Sequence, residues 1–447
     1  MYAESELLEI ASKALAVAGP AEAEVILSCS EGALTRFGEN RVTQNVVQGG
    51  ASLTVRLLEE GRIGKASTGN LTEEGIARCV ATAQSALRFS QPDPDLLPLV
   101  EPQSYSDKST YHDRTFGYSP EERVVGVAEA VALCRESDLQ AAGIYSSGGS
   151  TIAIANSRGL WACHRRTGAT FSLSAMSDDS SGWAEATDPD VAALDVTDVA
   201  RRAKDKALAS RNPSRVEPGD WTVVLEPAAV ADFLLFLAWD AFNGKSFVES
   251  RSAFTGKIGT KVAGTNVTIK DDAWHPLTPG NPFDYEGMPR QTVPLIENGV
   301  FMGVVHDRTT GAKAGTGSTG HALPQPDSNG PLPLNMVLEG GESSLEEMIA
   351  STDRGLLVTR LHYTNLLDPM KVTITGMTRD GLFLIEGGKV TRGLKNMRFT
   401  LSVLDVLNSV EALSRQLYRT ETFWGGGGTV APAIKVSNWT FTSGTEN

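Results

Sequence analysis

The pattern of apolar positions divides the chain into two unlike halves. In the first, helical and extended periodicities alternate. Leu7, Leu8, Ile10, Ala11, Leu15 and Ala16 fall on one stripe, which predicts a helix over 5–17, stopped by Gly19-Pro20. Extended runs at 23–30, 33–38, 41–48, 50–58 and 61–67, punctuated by Gly and Asn, read as antiparallel hairpins. A helix over 72–89 follows, with Thr72 as its cap and Ile76, Val80, Ala83 and Leu87 facing inward. After a Pro/Asp/Gln-rich stretch, 90–118, the same order recurs. There is a helix over 120–136, strands near 142–156, 159–164, 167–178 and 181–187, and a helix over 195–210. This predicts two helix–strands–helix units on a shared sheet.

Residues 211–219, RNPSRVEPG, hold two prolines and a glycine and mark a boundary between domains at 1–211 and 220–447. Beyond it, Thr222–Val224 reads as a buried strand and Glu226-Pro227 as a helix start. Residues 228–242 are apolar nearly all round, with only Asp232 and Asp240 charged, so no face of this helix suits water. At about 15 residues it is too short to span a bilayer. Extended runs then appear at 265–271, 292–306, 334–339, 355–363, 370–377, 381–386 and 388–399, with Gly and Pro between them. They predict a closed or strongly curled antiparallel sheet around the 228–242 helix. Residues 400–418 read as a further helix, 425–428 as a glycine turn and 429–435 as a last strand. The expected class is α+β: an N-terminal α/β domain and a C-terminal β-rich, barrel-like domain around a buried helix.

Charge and chemistry narrow the picture. Lys+Arg number 40 against 54 Asp+Glu, a net charge of −14, which argues against nucleic acid or an anionic membrane as the main partner. The start of the chain lacks the basic and apolar regions of a secretory signal, and the four cysteines form no CxxC pair. Reduced thiols and a cytoplasmic location are expected. No two of the six histidines lie fewer than 15 positions apart, so none form the helical pair of a zinc protease. Gly315–Gly320, GTGSTG, lacks the Lys-Ser/Thr of a phosphate loop and reads as a loop or the rim of a cleft. Polar residues gather in 360–365, RLHYTN, and 378–381, TRDG. On a strand, Arg360, His362 and Thr364 would share a face, and Arg379-Asp380-Gly381 reads as a hairpin turn. Arg360, His362, Tyr363, Asn365, Arg379 and Asp380 are therefore candidates for the lining of a peptide-sized groove.

The order of several segments resembles the TldD/TldE (PmbA) family, sometimes labelled modulators of DNA gyrase. The segments are Arg36–Gln44 (RFGENRVTQ), Leu225-Glu226-Pro227 with the apolar helix, Phe254–Gly259 (FTGKIG), Asp271-Asp272, Ser318–His321 (STGH), Thr375–Gly381 (TGMTRDG) and Asn396–Thr400 (NMRFT). The resemblance covers essentially the whole chain and adds Ser318 and His321 to the cleft candidates. It implies a heterodimeric zinc metallopeptidase acting on unstructured peptides. One subunit carries HExxxH on the buried helix and a cysteine ligand from the later RDGC-type turn. Here Phe236 and Ala241 stand at the imidazole positions, Leu237 at the glutamate and Leu382 at the cysteine. The resemblance thus implies the TldE/PmbA-type subunit, with no metal or cofactor in this chain and zinc in a TldD-like partner. The alternative is a homodimeric peptidase-like or peptide-binding protein that acts without zinc.

Overall fold

The computed structural model describes residues 2–421 and 428–445. In the N-terminal half, a helix Glu4–Ala18 leads to β1 (Glu22–Gly38), β2 (Arg41–Glu59), β3 (Arg62–Thr68) and a helix Glu73–Phe89. The unit then repeats as a helix Pro120–Arg135, β4 (Gln140–Asn156), β5 (Trp161–Met176), β6 (Ser181–Asp188) and a helix Val196–Ala209. The six strands form one antiparallel sheet in the order β3-β2-β1-β4-β5-β6, so the two units join at β1 and β4. The helices of the first unit bury Leu7, Ala11, Ile76, Val80 and Ala83 against it, and those of the second bury Val127, Ala130, Val199 and Ala203. Contact is close on β6: a Cβ on Gly182 would meet the carbonyl oxygen of Ala203 at 2.2 Å.

The two-unit reading holds, but the strands are fewer and longer than their punctuation implies. Glu31 pairs with Gly49 and Ser30 with Gly50, without a register break. Gly49 and Gly50 thus lie inside a paired strand rather than at a turn, and one glycine of β4 is held by close backbone approach to β1. A Cβ on Gly148 would sit 2.4 Å from the carbonyl oxygen of Glu31.

The C-terminal half contains β7 (Gly219–Leu225), β8 (Ile269–Asp271), β9 (Val293–Glu297), β10 (Val300–Phe301), β11 (Met336–Leu338), β12 (Arg354–Asp368), β13 (Thr373–Glu386), β14 (Lys389–Gly393), β15 (Met397–Ser402), β16 (Val410–Glu421) and β17 (Gly428–Gly444). Pairing runs β7-β12-β13-β15-β17 and returns from β17 to β7, which closes a ring. From β17 the sheet extends through β11, β8, β9 and β10. It is mixed rather than purely antiparallel, since β7 runs parallel to β12 and β11 to β17. The helix Pro227–Phe236 packs on β12 and β17, with Phe233 edge-on to Trp439 at 6.4 Å, both rings fully buried. Deeply buried aromatic pairs of this kind dominate core energetics.

Four C-terminal expectations are corrected. The helix expected over 400–418 is instead the end of β15, a short helix Val403–Asn408 and β16. Pairing of Val410–Glu421 with β17 overrides the local helical pattern. The run at 292–306 is two short strands, turned by Asn298 and Gly299 at φ 50° and 81°, an Asn-Gly hairpin signal. The run at 388–399 breaks between β14 and β15. Finally, Arg379-Asp380-Gly381 lies inside β13 as a bulge, with φ 53° at Asp380 and 132° at Gly381. Residues 425–427 of the expected glycine turn lie outside the described residues. Among the described residues, no helix is long and apolar enough to cross a membrane.

Candidate functional site

The helix entering the C-terminal core does not keep one pitch. After Phe236 it widens into a π turn, Leu237–Ala241, in which the Phe242 N–H donates to the Leu237 carbonyl at 2.8 Å. A π turn brings residues five apart close together along the axis, and such turns are frequent at functional sites. Leu237 and Ala241 are fully buried, Phe236 is nearly so, and Trp239 is pushed outward to 43% exposure. The expectation that no face of this helix meets water is therefore corrected at Trp239. Leu382, on β13, is also buried. Phe236, Leu237, Ala241 and Leu382 belong to one apolar cluster and offer no N, O or S donor. A zinc ion needs about four such donors, so the residues present do not fit one.

Beside Phe236 is a cavity of about 260 Å³, walled by both halves of the molecule. Its C-terminal wall includes Asp232, Phe236, Arg360, His362, Tyr363 and Glu421; its N-terminal wall is Ser172, Trp183 and Glu185. On β6, Ala184 faces the N-terminal core, so Trp183 and Glu185, its neighbours on the strand, point the other way, across the gap. The Glu421 N–H donates to Glu185 Oε1 at 3.2 Å, and Lys206 Nζ pairs with Glu226 Oε2 at 2.6 Å. Both contacts cross between the halves. The Arg360 guanidinium lies 4.6 Å over the Trp183 ring and is bridged to Asp380.

Two carboxyls in this cavity are unusual. Burial pushes Asp232 up to about 7, against the pull of Arg360 and the Leu361 N–H. Burial also pushes Glu185 up to about 7; the Glu421 N–H and Arg360 oppose the rise, while the Glu421 carboxylate and Asp232 add to it. Burial lowers His362, and Arg379 and Arg360 add to that. The site therefore holds neutral or half-protonated groups around one guanidinium, an environment able to donate and accept protons near neutral pH.

The raised values set a pH dependence. Between about pH 4 and 7 the folded chain retains protons that the unfolded chain has released, so stability falls as pH rises through this window. Asp232→Asn is expected to flatten that slope. In urea unfolding it should gain on the order of 2–4 kcal/mol over the parent at alkaline pH and little at acidic pH. An offset equal at both pH values would contradict the assignment.

The structure brings together some of the sequence candidates. Arg360, His362 and Tyr363 line the cavity beside Phe236. Arg379, Asp380 and Leu382 line a neighbouring cavity of about 1150 Å³. Arg360 and Asp380 are paired between the two. Tyr363, at φ 51°, is 68% exposed, and Asn365 is exposed and donates to the Tyr363 carbonyl at 2.8 Å. Ser318 and His321 lie elsewhere. His321 is buried with its Nε2 2.9 Å from Asp271 Oδ1, while Ser318 caps the loop at Gly320. Burial alone would raise Asp271, but His321 and Arg290 more than offset it and hold the carboxyl below its usual range. Sequence reasoning passed over Asp232, Glu185, Trp183 and Glu421. Of these only Asp232 carried a local signal, as a charge within an otherwise apolar helix.

Among known proteins, the profile of the PmbA/TldA metallopeptidase C-terminal domain matches residues 218–443, and that of the central domain matches 120–211. A metalloprotease of Methanocaldococcus jannaschii is 26% identical over 247 residues, and the chain spans about half the length of that relative, 52%. Metalloprotease PmbA of Escherichia coli O157:H7 is 24% identical over 439 residues, 93% of this chain and 92% of that one. The crystal structure of TldE from Thermococcus kodakarensis superposes with a TM-score of 0.88 at 24% identity, covering 98% of this chain and 99% of that one. At that identity the likeness establishes the fold.

Proposed function

The chain belongs to the PmbA/TldD metallopeptidase family, and on that premise we propose that it is a metal-free, TldE/PmbA-type subunit. It docks on a zinc-bearing TldD-like subunit and helps to enclose unstructured peptides for cleavage by that partner. The observation that carries this reading is the apolar filling of the π turn. Phe236, Leu237, Ala241 and Leu382 pack where the family's catalytic subunit would place its ligands and base, and all four belong to the hydrophobic core. Burying a divalent cation among them would leave its charge uncompensated.

The peptide-handling part rests on the cavity beside Phe236 and its larger neighbour, whose walls offer polar groups on strand backbones. Extended peptides can be held by main-chain hydrogen bonds with little demand on sequence. Co-expression with a TldD-like chain, followed by size exclusion and a peptidase assay, tests the reading. A stable complex with more peptidase activity than either chain alone is expected. Failure to co-elute, with no gain in turnover, would remove it.

A further inference from the structure

A third cavity, of about 920 Å³, lies on the side of the molecule where the glycine-containing middles of β1 and β4 face the loops around Asn281 and Leu332. Three arginines converge on it: Arg166 from β5, Arg290 and Arg419. Arg290 is 7% exposed, and its Nε and Nη1 are buried with no hydrogen-bond partner among the described residues. Arg419 bonds Glu421 through Nη2, yet its Nε and Nη1 are likewise buried and unpartnered. Arg166 donates from Nε to Ser150 Oγ at 3.3 Å. Asn281 Oδ1, in the same wall, is another buried atom without a partner. Among the described residues, the carboxylates in the lining are Glu31 and Glu421.

Four buried guanidinium nitrogens left without an acceptor among the described residues in one cavity are costly. A buried donor without an acceptor loses about 1–3 kcal/mol, more when charged. The cations also oppose one another: burial lowers Arg166, and Arg419 and Arg290 lower it further. This concentration of positive charge occurs in a chain whose net charge is −14. Planar guanidinium forks match the geometry of carboxylate and phosphate oxygens.

We infer that this cavity binds the oxyanion of a small ligand, a carboxylate or a phosphate group, between Arg166, Arg290 and Arg419. The oxyanion site stands independently of the subunit reading. Only its peptide form, in which the group is the carboxylate end of a bound peptide, rests on the proposed handling of peptides.

The test is calorimetric titration of the full chain at low ionic strength with inorganic phosphate, with tetra-alanine and with tetra-alanine amide, in the parent and in Arg290→Gln and Arg419→Gln. The parent is expected to bind phosphate, the free-acid peptide or both. Each Gln variant should bind at least about tenfold more weakly, as expected for a lost charged hydrogen bond. Phosphate alone binding identifies a phosphate site; the acid peptide binding about tenfold or more above its amide identifies a C-terminal carboxylate site. If a Gln variant does not fold, Arg419→Lys replaces it, since it keeps the charge but loses the fork, and weakened binding is again expected. Binding of neither anion, or binding that the variants leave unchanged, would overturn the site. Acid and amide peptides binding equally while phosphate does not bind would also overturn it, yet would leave peptide handling by the subunit intact.

Discussion

Alone, the chain is expected to cleave unstructured peptides no faster than background; with a zinc-bearing TldD-like subunit, turnover should exceed that of the partner alone by on the order of 10²-fold. The inactivity of the chain alone follows from what a metallopeptidase site must supply, and the gain over the partner alone from positioning of the substrate. A bound zinc lowers the pKa of its water to about 7 and polarises the scissile carbonyl. Nothing in the apolar cluster around Phe236 and Leu237 can substitute for either action. Positioning of substrate within an enclosed site adds to this and is lost when one wall is missing. The assay is hydrolysis of casein fragments by each chain and by the mixture, with and without chelator. Chelator-sensitive turnover that is absent from this chain alone and far greater in the mixture than in the partner alone is the expected result. Chelator-resistant turnover by this chain alone, abolished by His362→Ala, would instead identify a catalyst that works without metal.

The second large effect is on stability. Leu237→Glu places a carboxylate at a fully buried position inside the core cluster. The cost of an unpaired buried charge is several kcal/mol, and about 4 kcal/mol or more is expected in urea unfolding at alkaline pH. The introduced carboxyl would have a raised pKa in the folded chain. Its cost should therefore shrink as pH falls toward about 4, where the folded and unfolded chains are both protonated. Leu237→Met, nearly equal in volume, should cost less than about 1.5 kcal/mol. A loss below about 1 kcal/mol for the glutamate would mean that the space already accommodates a charged group, contrary to a filled core.

The sequence made the architecture more legible than the site. The repeated order of helices and strands before residue 211 follows from periodicity, because each element buries one face on a shared sheet. The closed C-terminal sheet was legible from short extended runs around an apolar helix. Two of the misreadings share one physical origin: cross-strand pairing outweighs local signals. Val410–Glu421 pairs with β17 despite a helical pattern, and Arg379-Asp380-Gly381 bulges within β13 rather than turning the chain. The two raised carboxyls escaped notice for a different reason. Asp232 and Glu185 lie 47 positions apart in the sequence and on different halves, and only the packing of β6 against the C-terminal core brings them into one cavity. The arginine cavity was equally hidden, since Arg166, Arg290 and Arg419 come from three distant segments.

Metal content is the most direct test of the central claim. The chain, purified without chelator after growth in zinc-supplemented medium, is measured by inductively coupled plasma mass spectrometry, followed by anomalous diffraction at the zinc edge. The account predicts far less than one zinc per chain and no anomalous peak beside the π turn. One zinc per chain that survives dialysis, located next to Phe236 and Leu382, would contradict it.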